Sequence, residues 1–206
     1  IIHLFARVVG LGEERVMSES FVEYLMKHII QQAMVPKVQV ERAIAPIFTI
    51  FIEEVLTKTL QDNPILLGSY ILIASEFPLK KAFSRRSENI DWLMYNKDRR
   101  QLIFVELKTS DKSFETKQIE IYKSKKKEVL ERGGYVLLEN LEKIKQNSRE
   151  QGKYQNLITK VSDFKNEIAS CHDVRIIYIV PESIHHKVKN LADYALTFSM
   201  LADSIP

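Results

Sequence analysis

The chain has 206 residues, 45% of them hydrophobic and 28% charged, with 30 basic side chains against 27 acidic and a net charge of +3. This composition fits one ordinary globular domain and excludes a disordered chain. No apolar run nears the roughly 18–20 residues needed to span a bilayer. A single cysteine, Cys171, rules out an internal disulfide and a zinc-finger ligand set, and favours a reducing, cytoplasmic setting.

The first residue is not Met, so the N-terminus reads as trimmed. Ser20 and Glu23 have capping-box spacing, and Val22, Leu25, Met26, Ile29 and Ile30 follow as the apolar stripe of a helix. Residues 1–35 therefore read as a helical extension to a core of residues 36–206. A second helix is predicted from about Val40 to Leu60, kinked or begun at Pro46. Asp62, Asn63, Pro64 and Gly68 mark a loop. Strands are predicted at Tyr70–Leu79, Ile90–Tyr95 and Leu102–Thr109, the last two forming a hairpin around Asp98 and Arg99. Glu115–Arg132 reads as a helix closed by Gly133 and Gly134. A polar helical insert covers about 137–171. The continuous apolar run Val174–Val180 reads as a strand buried on both faces, and a last helix is expected over Ser183–Leu201. The order predicts an α/β fold: a three-strand meander, a helix and a further strand in one mixed sheet flanked by helices.

Glycine-rich nucleotide loops and a nucleophile elbow are absent. The informative segment is Val105-Glu106-Leu107-Lys108. Residues two apart on a strand share a face, so Glu106 and Lys108 sit together inside an otherwise apolar run. Charged groups enter such runs when paired or when they hold a metal. A hairpin turn between Asp98 and Arg99 makes paired residue numbers sum to about 197, which puts Asp91 across from Glu106. Opposed carboxylates repel unless a proton or a cation lies between them, and Mg²⁺ or Mn²⁺ suits such an oxygen pair. Gln118 and Tyr122, four apart, share a helix face.

Asp91, then fourteen residues, then Glu106-Leu107-Lys108, followed by Gln118-Ile119-Glu120-Ile121-Tyr122, resembles the PD-(D/E)XK nuclease superfamily. The Gln–Tyr motif is similar to that of RecB-like nucleases and type I restriction subunits. The resemblance implies a restriction-endonuclease-like fold and Mg²⁺- or Mn²⁺-dependent cleavage of phosphodiesters. It makes Asp91, Glu106 and Lys108 catalytic, with Asp91 and Glu106 as metal ligands. It gives Gln118 and Tyr122 a supporting role, either touching the substrate backbone or bracing Glu106 and Lys108. The superfamily's usual proline before the first acid is missing: Asn89-Ile90 precede Asp91. The superfamily often adds a further acid, for which Glu76 and Glu41 rank above Glu54. Two basic clusters are candidates for phosphate contact: Lys80, Lys81, Arg85 and Arg86, and the lysines of the following helix, Lys117, Lys125 and Lys126 above all. The expected partner is nucleic acid, DNA ahead of RNA, with no membrane and with a homo-oligomer left open. Two alternatives stand beside a nuclease. One is a catalytically silent nucleic-acid-binding module. The other is an interaction protein in which Asp91, Glu106 and Lys108 form a salt-bridge cluster.

Overall fold

The computed structural model describes residues 40–80 and 87–202. The helical extension at residues 1–35 lies outside them, as do Lys81, Arg85 and Arg86. The chain divides into two compact units, Ile1–Pro46 and Ile47–Pro206. Helix α1 spans Val40–Thr59 with Pro46 inside it, so Pro46 is not its beginning. Of the first unit, the described part is the start of that helix.

The second unit is built on five strands in the order β1-β2-β3-β4-β5: Tyr70–Lys80, Ser87–Asn96, Gln101–Leu107, Val174–Val180 and Tyr194–Thr197. β1, β2 and β3 form an antiparallel meander, while β4 and β5 run parallel to β3. Between β3 and β4 lie α2 (Thr116–Arg132), α3 (Tyr135–Asn147), α4 (Gln151–Ser162) and α5 (Lys165–Ser170). The mixed α/β sheet flanked by helices is the architecture the sequence predicts. β1 runs through Pro78 to Lys80, close to its predicted end at Leu79; an edge strand permits the proline because one of its sides needs no ladder. Gly133 ends α2 at φ +83°, a conformation that glycine adopts without steric cost.

The sheet is buried on both faces. Leu93, Phe104 and Tyr178 pack in one cluster with Ile119, Tyr122 and Val129 of α2 and Val136 and Leu137 of α3. The alternate residues Trp92, Met94, Ile103, Val105, Ile177 and Ile179 are equally buried. Trp92 is a core residue; it stacks on Phe48 and donates from its indole nitrogen to Thr49 Oγ1 at 2.7 Å.

One expectation changes. The helix expected over Ser183–Leu201 is instead α6 (Glu182–Val188), strand β5 and α7 (Phe198–Ala202). β5 exists because it docks on the outer edge of β4. Asp193 pins that edge, giving its N–H to Ile176 O and accepting Ile176 N–H on its carboxylate. No local periodicity carries that tertiary contact. Exposed Glu53 accepts the Leu72 N–H on its carboxylate at 2.7 Å, holding β1 to α1. Asp98 is exposed, as expected of a turn residue, but not idle, since it accepts the Ser69 N–H at 2.7 Å.

The hairpin register follows the sequence. Trp92 pairs with Val105, Leu93 with Phe104 and Asn96 with Gln101, each pair summing to 197. Fully buried Asn96 fixes the turn: its Oδ1 accepts the N–H groups of Asp98 and Arg99, and its Nδ2 donates to Leu66 O and Leu67 O. A side chain that mimics backbone in this way sets the turn, and the turn sets every pair beyond it.

Candidate functional site

The same register carried one step past Trp92–Val105 sets Asp91 opposite Glu106. The strands stop pairing there, and the Asp91 carboxylate itself accepts the Leu107 N–H at 2.6 Å. On its other side Asp91 is again skipped: β1 pairs Ser75 with Trp92 and Phe77 with Ile90, leaving Glu76 in line with Asp91. Glu76 has φ +52°, a left-handed backbone that costs a non-glycine residue of order 1–3 kcal/mol. On β4, Tyr178 is the register partner of Glu106. One row across four strands thus reads Glu76, Asp91, Glu106, Tyr178, and the ladder opens at its acidic members.

Glu106 is 3% exposed and Lys108 7%. Lys108 lies just past the end of β3, its N–H bound to Ile179 O, and its ammonium meets Glu106 Oε1 at 2.7 Å. Gln118 Nε2 donates to the same oxygen at 2.8 Å and to Tyr122 Oη at 2.9 Å. Tyr122 Oη lies 2.5 Å from Glu106 Oε2 and 2.9 Å from Asn89 O. One phenolic proton cannot serve both contacts. The phenol donates to one of these two oxygens at a time, while it accepts from Gln118.

Burial pushes the Glu106 carboxyl up, against the pull of Lys108. Asp91 is raised to about 8, first by burial and next by the Glu106 charge; the Leu107 N–H and Lys108 oppose this, and Glu76 adds to it. Tyr122 and Tyr178 both feel the charges of Glu106 and Asp91, and both are pushed up mainly by burial. The electrostatics therefore describe two carboxylates sharing one face and competing for ionisation.

Gln118 and Tyr122 are both brought into hydrogen-bonding contact with Glu106. Tyr122 is fully buried and Gln118 is 9% exposed. Core packing and site support are one role here, because the ring packs edge-on against Phe104 while the hydroxyl serves Glu106. Tyr122→Phe is expected to lower both stability, by about 1–2 kcal/mol for a buried hydrogen-bonding group left unpaired, and any activity of the site. A melting temperature equal to wild type would refute the brace.

Glu76 lies within electrostatic reach of Asp91, and its carboxylate accepts Asn89 Nδ2 at 3.3 Å. Glu54 is exposed and paired with Lys58 at 2.6 Å. Glu41 is in α1, its side chain outside the described residues. Sequence reasoning missed Tyr178 and Asn89, whose roles arise from strand neighbours and a backbone carbonyl.

The lysines divide. Lys117 and Lys123 are exposed, and Lys80 is half-buried at the end of β1. Lys125 is 7% exposed and paired with Glu128. Lys126 binds Asp193 at 2.5 Å, the residue that fastens β5. Lys125 and Lys126 are therefore both engaged in ion pairs of the fold.

Among the described residues, no group of three or more His, Cys, Asp or Glu side chains could hold a metal. The donor set that remains is Asp91 with Glu106. Both oxygen bonds of Glu106 Oε1 are taken, by Lys108 and Gln118, whereas Oε2 has one lone pair left beside Tyr122. Two carboxylates fit Mg²⁺, which is commonly held by one or two of them plus waters and substrate phosphate. Among the described residues, no helix is long and apolar enough to cross a membrane.

Residues 52–182 match the family described as Shedu protein SduA, C-terminal, a span that contains the whole row from Glu76 to Tyr178. Nothing matches among the curated proteins or the solved structures.

Proposed function

Since the chain belongs to the Shedu SduA C-terminal family, a family of nuclease-like defence domains, we propose that it is a divalent-metal-dependent nuclease of the PD-(D/E)XK kind, cleaving DNA. One observation carries the reading: Asp91 and Glu106 share a face at the row where the sheet opens, with Lys108 at 2.7 Å from Glu106. Structural carboxylates are seldom set where each raises the cost of ionising the other; functional ones often are.

Asp91 and Glu106 would hold Mg²⁺ or Mn²⁺, with Glu76 as the nearby third acid. Bound there, the cation supplies an acidified water and charge neutralisation at the attacked phosphate. Lys108 supplies a fixed positive charge beside the negative charge that develops on the phosphate. Gln118 and Tyr122 hold the Glu106 carboxylate in one rotamer, so that Oε2 presents its remaining lone pair. Anti-phage defence is the setting that the family suggests, and a cytoplasmic location suits a DNA substrate.

Incubation with plasmid, linear duplex and single-stranded DNA, with Mn²⁺, with Mg²⁺ and with chelator, tests the proposal. Metal-dependent cleavage of at least one substrate is expected; no cleavage of any with Mn²⁺ defeats it. The salt-bridge reading has one observation in its favour, the saturation of Glu106 Oε1 by Lys108 and Gln118. It predicts no response to Mn²⁺.

Duplex binding should weaken steeply with salt as phosphate contacts release counterions. Charge reversal belongs at exposed Lys117 and Lys123, since reversing Lys125 or Lys126 would break ion pairs of the fold. Lys117→Glu with Lys123→Glu is expected to weaken binding to all sequences alike and to lower the salt slope by roughly 1 for each phosphate no longer neutralised. An unchanged slope in a filter-binding series would remove α2 from the interface.

A further inference from the structure

Four buried polar side-chain atoms among the described residues have no hydrogen-bond partner within the protein: Gln101 Oε1, Asn140 Nδ2, Arg175 Nε and Tyr178 Oη. Gln101 and Arg175 belong to the end of the sheet away from Glu106, and Asn140 to α3. Tyr178 is different. It is fully buried, it is the β4 register partner of Glu106, and its ring packs against Tyr122 and Phe114 at 6.4 and 6.1 Å. The carboxylates that bear on its hydroxyl are Glu106, Asp91 and Glu88, in that order. A buried hydroxyl without a partner costs of order 1–3 kcal/mol, and phenylalanine would fill the same space without that cost. A donor kept at this cost, within electrostatic reach of two carboxylates yet bonded to neither, calls for an acceptor.

Donors around the pair are unevenly shared. Glu106 has Lys108, Gln118 and Tyr122, while Asp91 has the Leu107 N–H. We propose that Tyr178 is a positioning residue: its hydroxyl, bonded to neither acid in the metal-free protein, becomes a donor to the Asp91–Glu106 pair when a divalent ion occupies it. The inference rests on the metal-site reading above and adds to it a residue outside the Asp91, Glu106, Lys108, Gln118 and Tyr122 pattern. Outer groups that orient metal ligands typically contribute 10–100-fold to affinity or activity.

The test follows melting temperature against Mn²⁺ concentration for wild type, Asp91→Asn and Tyr178→Phe, with DNA cleavage measured beside it. Tyr178→Phe is expected to melt no lower than wild type without metal, to need about 10-fold more Mn²⁺ for half its stabilisation, and to cleave correspondingly less at limiting Mn²⁺. A wild-type Mn²⁺ response that Tyr178→Phe shares unchanged overturns this inference and leaves the nuclease reading standing. So does a lower metal-free melting temperature with an unchanged Mn²⁺ midpoint, the mark of a packing role. A wild type that does not respond to Mn²⁺ overturns the metal-site reading, and the role of Tyr178 with it.

Discussion

Asp91→Asn is expected to reduce cleavage to the level of the chelator-treated protein while leaving the metal-free fold as stable as wild type or slightly more so. The reason lies in what asparagine keeps. Its carbonyl oxygen still accepts the Leu107 N–H that the carboxylate now takes at 2.6 Å. Its neutrality matches a carboxyl raised to about 8, which is mostly protonated at pH 7. It also stays neutral at higher pH, where the ionised Asp91 carboxylate would be repelled by Glu106. What it loses is an anionic ligand. Wild type should gain roughly 5–10 °C in melting temperature at 100-fold excess of Mn²⁺ over its dissociation constant, and Asp91→Asn should gain nothing. Cleavage by Asp91→Asn above about a tenth of wild type would exclude Asp91 from the centre. Glu106→Gln tests the same chemistry less cleanly. It leaves the 7%-exposed Lys108 without its counter-charge, and breaking a buried pair from one side costs about 3–5 kcal/mol. Its loss of activity must therefore be read beside its melting temperature.

The second large effect is on pH. Asp91 in the folded protein titrates near 8, against about 3.9 for an unfolded aspartate. Between those values the native state binds a proton that the unfolded state has released. The number of protons bound by the unfolded state less that of the native state is then negative, so stability falls as pH rises. This contribution is complete below about pH 4 and is lost as pH climbs through 8, at up to about 1.4 kcal/mol per pH unit before solvent screening at the partly exposed carboxyl. Metal-free wild type should lose stability from pH 5 to pH 8 more steeply than Asp91→Asn. Mn²⁺ competes with the same proton, so its apparent affinity should rise up to tenfold per pH unit over that window and level off above it. Parallel pH curves for the two proteins in the absence of metal would show that Asp91 is not the titrating group.

Much of this was legible in the chain. The apolar runs, the glycine stop after α2 and the turn residues at 96–100 pointed to the meander, the crossover and β4, because each is a local property. Register followed too. Once the turn is placed, the two-residue period of strands fixes which side chains meet, so Asp91 could be set across from Glu106 by counting. The resemblance to a nuclease pattern rested on the same few residues, all inside the matched span 52–182.

Other features were decided only by tertiary contacts. β5 reads as helix in sequence because its four residues form a strand only by adding to the edge of β4, under the grip of Asp193. Lys125 and Lys126 read as solvated until their partners, Glu128 and the distant Asp193, are in place. The left-handed backbone of Glu76 and the opening of both ladders at Asp91 have no sequence signal, since neither residue is glycine. Tyr178 sits in an apolar strand like any core aromatic. Only parallel pairing with β3 makes it the register partner of Glu106, its buried hydroxyl within reach of the acids' charge and without a hydrogen-bond partner. Spacing along the chain determined which acids could meet; packing decided how strongly they repel and what surrounds them.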